Sequence, residues 1–274
     1  MNSLSNWAND MGDCVLWQDF SDVSTMYVDK TDTDNVGGVL GNRVVTVKDK
    51  SDAATPCHML LNGSDFSNAA IYQPNVLNGR GVVNTNLGAS PAITAGAGTT
   101  LKSDYSATGF THLMLIKPEV YTGAAILLAT GRNLVSVNGF DFRIHSNSEF
   151  RYLQNDGQAV ANAGWIVNGG FATGEWNLLV YRSDIAGGAS EAVTTSRDGG
   201  TGALSVATAN TRFPGVAPSL PVTHDYEPRM FSATHSTAAN RYRGLIAEQA
   251  MWGGEKTDAE ILYAYNLMRM KWDV

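Results

Sequence analysis

Along 242–252, Tyr242, Gly244, Ile246, Glu248, Ala250 and Trp252 share one parity of an alternating pattern, which is the period of a strand. Gly253 and Gly254 break it, and the period then changes. Thr257 and Glu260 stand three apart, the spacing of a capping box in which each side chain satisfies a free N–H of the first helical turn. Ile261, Tyr265, Met268 and Trp272 follow at i, i+4, i+7 and i+11, one apolar stripe of a terminal helix. A helix with such a stripe must dock on a sheet.

Upstream the pattern is strand and turn. Short apolar runs at 15–17, 44–47, 110–117, 124–130, 140–145, 150–153, 164–167 and 176–181 are bounded by Gly, Asn or Asp. Strands at such intervals indicate a sandwich or barrel. Asn62-Gly63 and Asn78-Gly79 are tight-turn signals. Residues 183–230 read as a hairpin around Arg197-Asp198-Gly199-Gly200 and an extended loop through Pro214, Pro218 and Pro221. Residues 1–13 read as an irregular arm, and 14–274 as one domain without linker or repeat.

Charged residues make up only 16% of the 274, and there are 28 glycines, a loop-rich all-β composition. A net charge of −7 argues against nucleic acid or anionic lipid as partner. Cys14 and Cys57 are too few for a disulfide framework; they form one bridge or two buried thiols. No basic-then-apolar export segment opens the chain, and no apolar run is long enough to span a bilayer. The expectation is a protein made in the cytoplasm.

Catalytic patterns are sparse. No strand carries the alternating carboxylates of a sandwich glycanase, the histidines lack metal-ligand spacing, and there is no G-x-S-x-G elbow. Glu248 stands out as an inward-facing carboxylate in need of a partner, with Arg241 or Arg243 nearby in sequence. A structural ion pair explains it better than catalysis. Asp13, Asp19, Asp22, Asp29, Asp32 and Asp34 could offer hard oxygen ligands to Ca²⁺; solvated turns explain them equally well. Tyr72, Tyr121, Tyr152, Trp165 and Tyr226 lie in or near loops where sugar rings could stack, with core packing as the competing reading.

Several segments recur in a fixed order. Leu16-Trp-Gln-Asp-Phe-Ser-Asp-Val-Ser-Thr-Met26 fits an opening L-W-L-D-A-S-D-x-S-T-L strand, and Val47-Lys-Asp-Lys-Ser51 a W-x-D-K-S-G turn. Pro74 precedes Leu77-Asn-Gly79; Phe110 to Pro118 fits F-T-x-x-x-x-x-K-P, and Gly174 to Val180 fits G-x-W-H-L-L-V. Gly244-Leu-Ile-Ala-Glu248 and Ala264 to Trp272 close the series. In this the chain, from about residue 14 onward, resembles the concanavalin A-like, laminin-G-type jelly rolls of tailed-bacteriophage and bacterial surface proteins. Asp52 and Asp273 stand where that family has Gly.

The resemblance implies an all-β, antiparallel two-sheet jelly-roll sandwich with a short C-terminal helix. It also implies a non-enzymatic virion structural protein, a capsid decoration protein or small surface appendage, or alternatively a tail-associated carbohydrate-binding receptor module. On that reading Tyr121, Tyr152, Trp165 and Tyr226 are candidate sugar contacts. Partners would be phage capsid or tail proteins and host surface glycans, in a homo-oligomer on the virion surface. The N-terminal arm and the 183–230 loop are the expected docking segments. No catalytic residue and no cofactor beyond possible Ca²⁺ is expected.

Overall fold

Strand formation begins immediately after a short N-terminal helix. The computed structural model describes residues 4–54, 56–61, 69–85, 93–95, 110–118, 125–129, 138–145, 149–156, 163–168, 173–183, 192–197, 206–208, 211–213, 229–230 and 242–274. Helix α1 (Trp7–Asp10) leads into β1 (Cys14–Asp19), β2 (Met26–Tyr27), β3 (Arg43–Val44), β4 (Thr46–Val47) and β5 (Met59–Leu61). Then come β6 (Ala70–Leu77), β7 (Arg80–Asn84), β8 (Ile93–Ala95), β9 (Phe110–Pro118), β10 (Ala125–Ala129), β11 (Asn138–His145) and β12 (Glu149–Asp156). The remainder is β13 (Ala163–Asn168), β14 (Asn177–Ser183), β15 (Ala192–Arg197), β16 (Val206–Thr208), β17 (Thr211–Phe213), β18 (Arg229–Met230), β19 (Gly244–Gly253) and α2 (Asp258–Trp272).

These strands form two antiparallel sheets packed as a jelly-roll sandwich. One runs β16-β15-β14-β9-β19-β7-β6-β3, with β1 also on β19; the other runs β17-β13-β12-β11-β10-β18-β8-β5-β4-β2. Strands β3 and β4 share the run 43–47 but belong to different sheets. The Asn78-Gly79 turn closes the β6–β7 hairpin, both residues at positive φ (48° and 69°). That is the conformation two-residue hairpins favour.

The central strands β9 and β19 are buried on both faces. One face meets the second sheet through Met114, Ile116, Ile246 and Met251. The other meets α1 and α2 through Leu113, Leu115, Leu245, Ala247, Ala250 and Trp252. A bulge at Ala247 shifts the register, so Ile246 pairs with Ile116 but Glu248 with Leu115. Ile246 and Glu248 therefore do not share a face, contrary to simple alternation.

Helix α2 carries the predicted capping box: Glu260 N–H donates to Thr257 Oγ1, and Thr257 N–H to Glu260 Oε2. Ile261, Tyr265, Met268 and Trp272 are buried. The helix ends with Asp273 in the left-handed conformation (φ 56°), its N–H donating to the Arg269 carbonyl. This is the position where glycine is favoured, which explains why the resembled family has Gly there.

Candidate functional site

The chemistry of the described residues concentrates beneath α2, at Glu248. Its side chain is fully buried. Oε1 accepts from Trp7 Nε1 (3.0 Å) and Trp17 Nε1 (2.8 Å). Oε2 accepts from Trp272 Nε1 and Lys271 Nζ, both at 2.7 Å. A carboxylate with one ammonium and three indole N–H groups has its acceptor capacity well filled, which is what makes burial of the charge tolerable. The partner is Lys271, from the helix; Arg243 is exposed, and Arg241 lies outside the described residues.

The N-terminal segment is drawn into this centre, correcting the expectation of a free arm. Trp7 and Ala8 are buried, and Trp252 Nε1 donates to the Ala8 carbonyl. Trp7 packs against both Trp17 and Trp252. Lys256 Nζ donates to the Met11 and Gly12 carbonyls.

From Glu248 a ladder of alternating charge climbs to the surface. Lys271 Nζ also reaches Asp19 Oδ2 at 2.7 Å; Lys50 Nζ lies 3.4 Å from Asp19 Oδ2 and 2.7 Å from Asp22 Oδ2. Burial raises the Asp19 pKa, but the Lys271 and Lys50 ammoniums outweigh it and hold the carboxyl below its ordinary value. At Asp22 burial is likewise outweighed, here by the Lys50 and Ser24 hydrogen bonds. Lys50 is raised, since its two carboxylates overcome its own burial, and it lies over the Trp17 ring.

The motifs that carried the family resemblance converge on this ladder. Leu16-Trp17 and Asp19 come from β1, and Lys50 from the Asp-Lys-Ser turn. Asp49 of that turn accepts from Trp17 N, Ser51 N, Ser51 Oγ and Cys57 N. Burial nevertheless holds its carboxyl above the usual range. Asn78 of Leu-Asn-Gly donates to the Lys271 carbonyl, as does Arg80 Nε. The recurring motif residues are thus largely the joints of one charged framework.

Where the ladder meets solvent there is a pocket of about 340 Å³. The buried Asp19–Lys271 pair lines it together with Ser21, Asp22, Lys50 and Arg80, and Leu4 and Ser5 of the N-terminal segment complete it. Asp19, Asp22 and the Asp-Lys-Ser turn stood out in the sequence, but nothing there signalled that they meet in one pocket.

Neither Tyr152 nor Trp165 is among the described residues that line this pocket. Tyr121 and Tyr226 lie outside the described residues. Tyr152 pairs with Phe142 on one side and Trp165 on the other. Tyr152 and Trp165 therefore stand within paired strands of the second sheet, β12 and β13. Tyr72 is buried in β6, and a Cβ at Gly81 would collide with its ring.

The six aspartates proposed for Ca²⁺ disperse. Asp19 and Asp22 belong to the ladder, and Asp32 pairs with Lys48. Asp29 accepts hydrogen bonds from Thr31, Thr33 and Asp34 within its own turn. Asp13 has a positive φ of 55°. Among the described residues, no three His, Cys, Asp or Glu side chains come together as a metal site would require. Cys14 and Cys57 are buried thiols not joined in a disulfide, and burial pushes the Cys14 thiol up.

Between the sheets lies a second polar group. His112 Nε2 donates to Gln249 Oε1 (3.1 Å), and Gln249 Nε2 to Gln18 Oε1 (2.6 Å). Burial lowers the His112 pKa to about 4.

No protein-family model matches the sequence, and no curated protein matches it. Among solved structures the chain is similar to the botulinum neurotoxin serotype D binding domain, at 10% identity and a TM-score of 0.54, over 96% of this chain and 52% of that one. It is also similar to the receptor binding domain of botulinum neurotoxin D, at 10% identity and a TM-score of 0.53, over 93% of this chain and 53% of that one. The chain thus spans about half the length of these neurotoxin chains. At such identity the likeness is one of fold: an antiparallel β-sandwich also used by binding domains.

Proposed function

We propose that the chain is a non-enzymatic carbohydrate-binding module displayed on the surface of a tailed-phage virion. The observation that carries this reading is the scaffold. Nearly the whole chain is similar in fold to about half of a receptor binding domain, and the ordered motifs resemble jelly rolls that include carbohydrate-binding modules. Fold alone does not assign function; it narrows the class to recognition. The buried carboxylates Asp19 and Glu248 are consumed by ion pairing and indole donors, a use that supports a structural role.

Partners on this reading are host surface glycans and the capsid or tail proteins that seat the module after assembly in the host cytoplasm. The test is a glycan array probed with the purified chain, followed by product analysis of any glycan retained. Saturable retention of an intact glycan is the expected result. Shortened glycan products would overturn the non-enzymatic assignment. The motif resemblance also supports a second reading, a capsid decoration protein; no retention on the array, together with labelling on the head lattice, would establish that one instead.

A further inference from the structure

We infer that the pocket over the Asp19–Lys271 pair is a subsite for one unit of a neutral, hydroxyl-rich sugar. This rests on the carbohydrate-binding reading and locates it. The pocket's volume, about 340 Å³, falls within the ~300–1,000 Å³ of small-ligand sites.

Its charge decides the ligand class. Asp19 and Asp22 line the pocket together with Lys50, Lys271 and Arg80, and Glu248 behind Lys271 brings the array to neutrality. Each ammonium is already shared between two carboxylates. An anion would therefore meet a carboxylate beside each ammonium it sought, and a cation would meet the reverse. A hydroxyl both donates and accepts, so neighbouring hydroxyls of a sugar can donate to a carboxylate while accepting from an ammonium or guanidinium. Such charge-assisted bonds are the stronger kind.

The ladder also fixes these groups in place. Lys50 is held by two carboxylates and the Trp17 ring, and Arg80 by the Lys271 carbonyl. Arg80 makes no other hydrogen bond among the described residues, which leaves its terminal amino groups available to a ligand. Preorganised donors lose little entropy on binding. Leu4 supplies an apolar wall for the C–H face of a sugar ring. A single sugar unit held this way is expected to bind on the order of millimolar.

The test is a protein-observed NMR titration of the full chain with galactose, glucose, mannose and N-acetylglucosamine, with inorganic phosphate and sialic acid as anionic probes. At least one neutral sugar should shift the backbone amides around 19–22, 50, 80 and 271. Asp22→Asn and Arg80→Gln, whose unchanged dispersion would report an intact fold, should each weaken that response about tenfold or more. Sugar-induced shifts confined to another surface, or left unchanged by both variants, would overturn the subsite while sparing the carbohydrate-binding reading. Shifts at these residues from the anions alone would overturn the neutral-sugar assignment. Silence from every sugar, here and on the array, would overturn both.

Discussion

Between the two sheets, Met114, Ile116, Leu179, Ile246 and Met251 form an apolar core with one polar row, His112–Gln249–Gln18, threaded through it. On the opposite face of the same strands, beneath α2, four tryptophans surround a buried carboxylate–ammonium pair. Apolar packing of the first kind tolerates exchange of like for like, provided volume is kept. Packing of the second kind does not, because three indole N–H groups and an ammonium share one acceptor. The helix-side layer is thus specified by hydrogen bonding as well as by volume, and it is the layer that leads out to the pocket.

The sharpest way to break this contrast is Glu248→Ala. It removes few atoms, yet leaves three indoles without their acceptor and Lys271 with Asp19 alone. The expected loss is about 3–5 kcal/mol in urea unfolding, as large as a core Leu→Ala. A loss below about 1 kcal/mol would mean that the network contributes no more than a surface pair.

The inter-sheet core should show its own polar row through pH. His112 in the folded chain stays neutral down to about 4, against an ordinary value of 6.5. Its folded pKa is depressed, so its contribution is fully present above 6.5 and is lost as pH falls from 6.5 through 4. The unfolded chain binds the proton first over that window. The loss is on the order of 3 kcal/mol, and His112→Asn should flatten the acid limb of a stability–pH curve by that amount.

Trp272→Phe keeps an aromatic ring beneath the helix but deletes one donor to Glu248. A cost of about 1.5–3 kcal/mol is expected for a hydrogen bond to a charged group, measurable as a lower denaturation midpoint. Thr257→Ala tests the start of the same helix, with about 1 kcal/mol lost from the capping box. At its other end, Asp273→Gly relieves the left-handed residue and should gain about 0.5 kcal/mol, read as a small rise in Tm.

Much of the fold was legible from particular residues. The capping box at Thr257 and Glu260, the helix stripe and the Asn78-Gly79 turn all read correctly, because each depends on neighbours within a few positions. Glu248 was also visible as a carboxylate in need of a partner. Its parity was misread, because a bulge at Ala247 leaves no trace in alternation when both faces of the strand are buried. The N-terminal arm was misread for a related reason: Trp7 finds its acceptor 241 residues away, and no local pattern signals that.

The candidate site was less legible still. Tyr152 and Trp165, read as lying in or near loops, belong to the paired strands β12 and β13. The pocket draws on the N-terminal segment, the end of β1, the Asp-Lys-Ser turn, the β6–β7 hairpin and α2, which only folding brings together.

By itself the sequence determined an all-β fold of sandwich or barrel type, a capped terminal helix and the places where chains turn, since propensity, periodicity and capping are local. The tertiary structure alone decided that Lys271 is the partner of Glu248 and that the N-terminus is part of the core. It also decided that the motif residues build an ion ladder opening into a pocket. Those outcomes depend on the energy of burying charge, which is fixed by what surrounds a side chain in space and not by its neighbours along the chain.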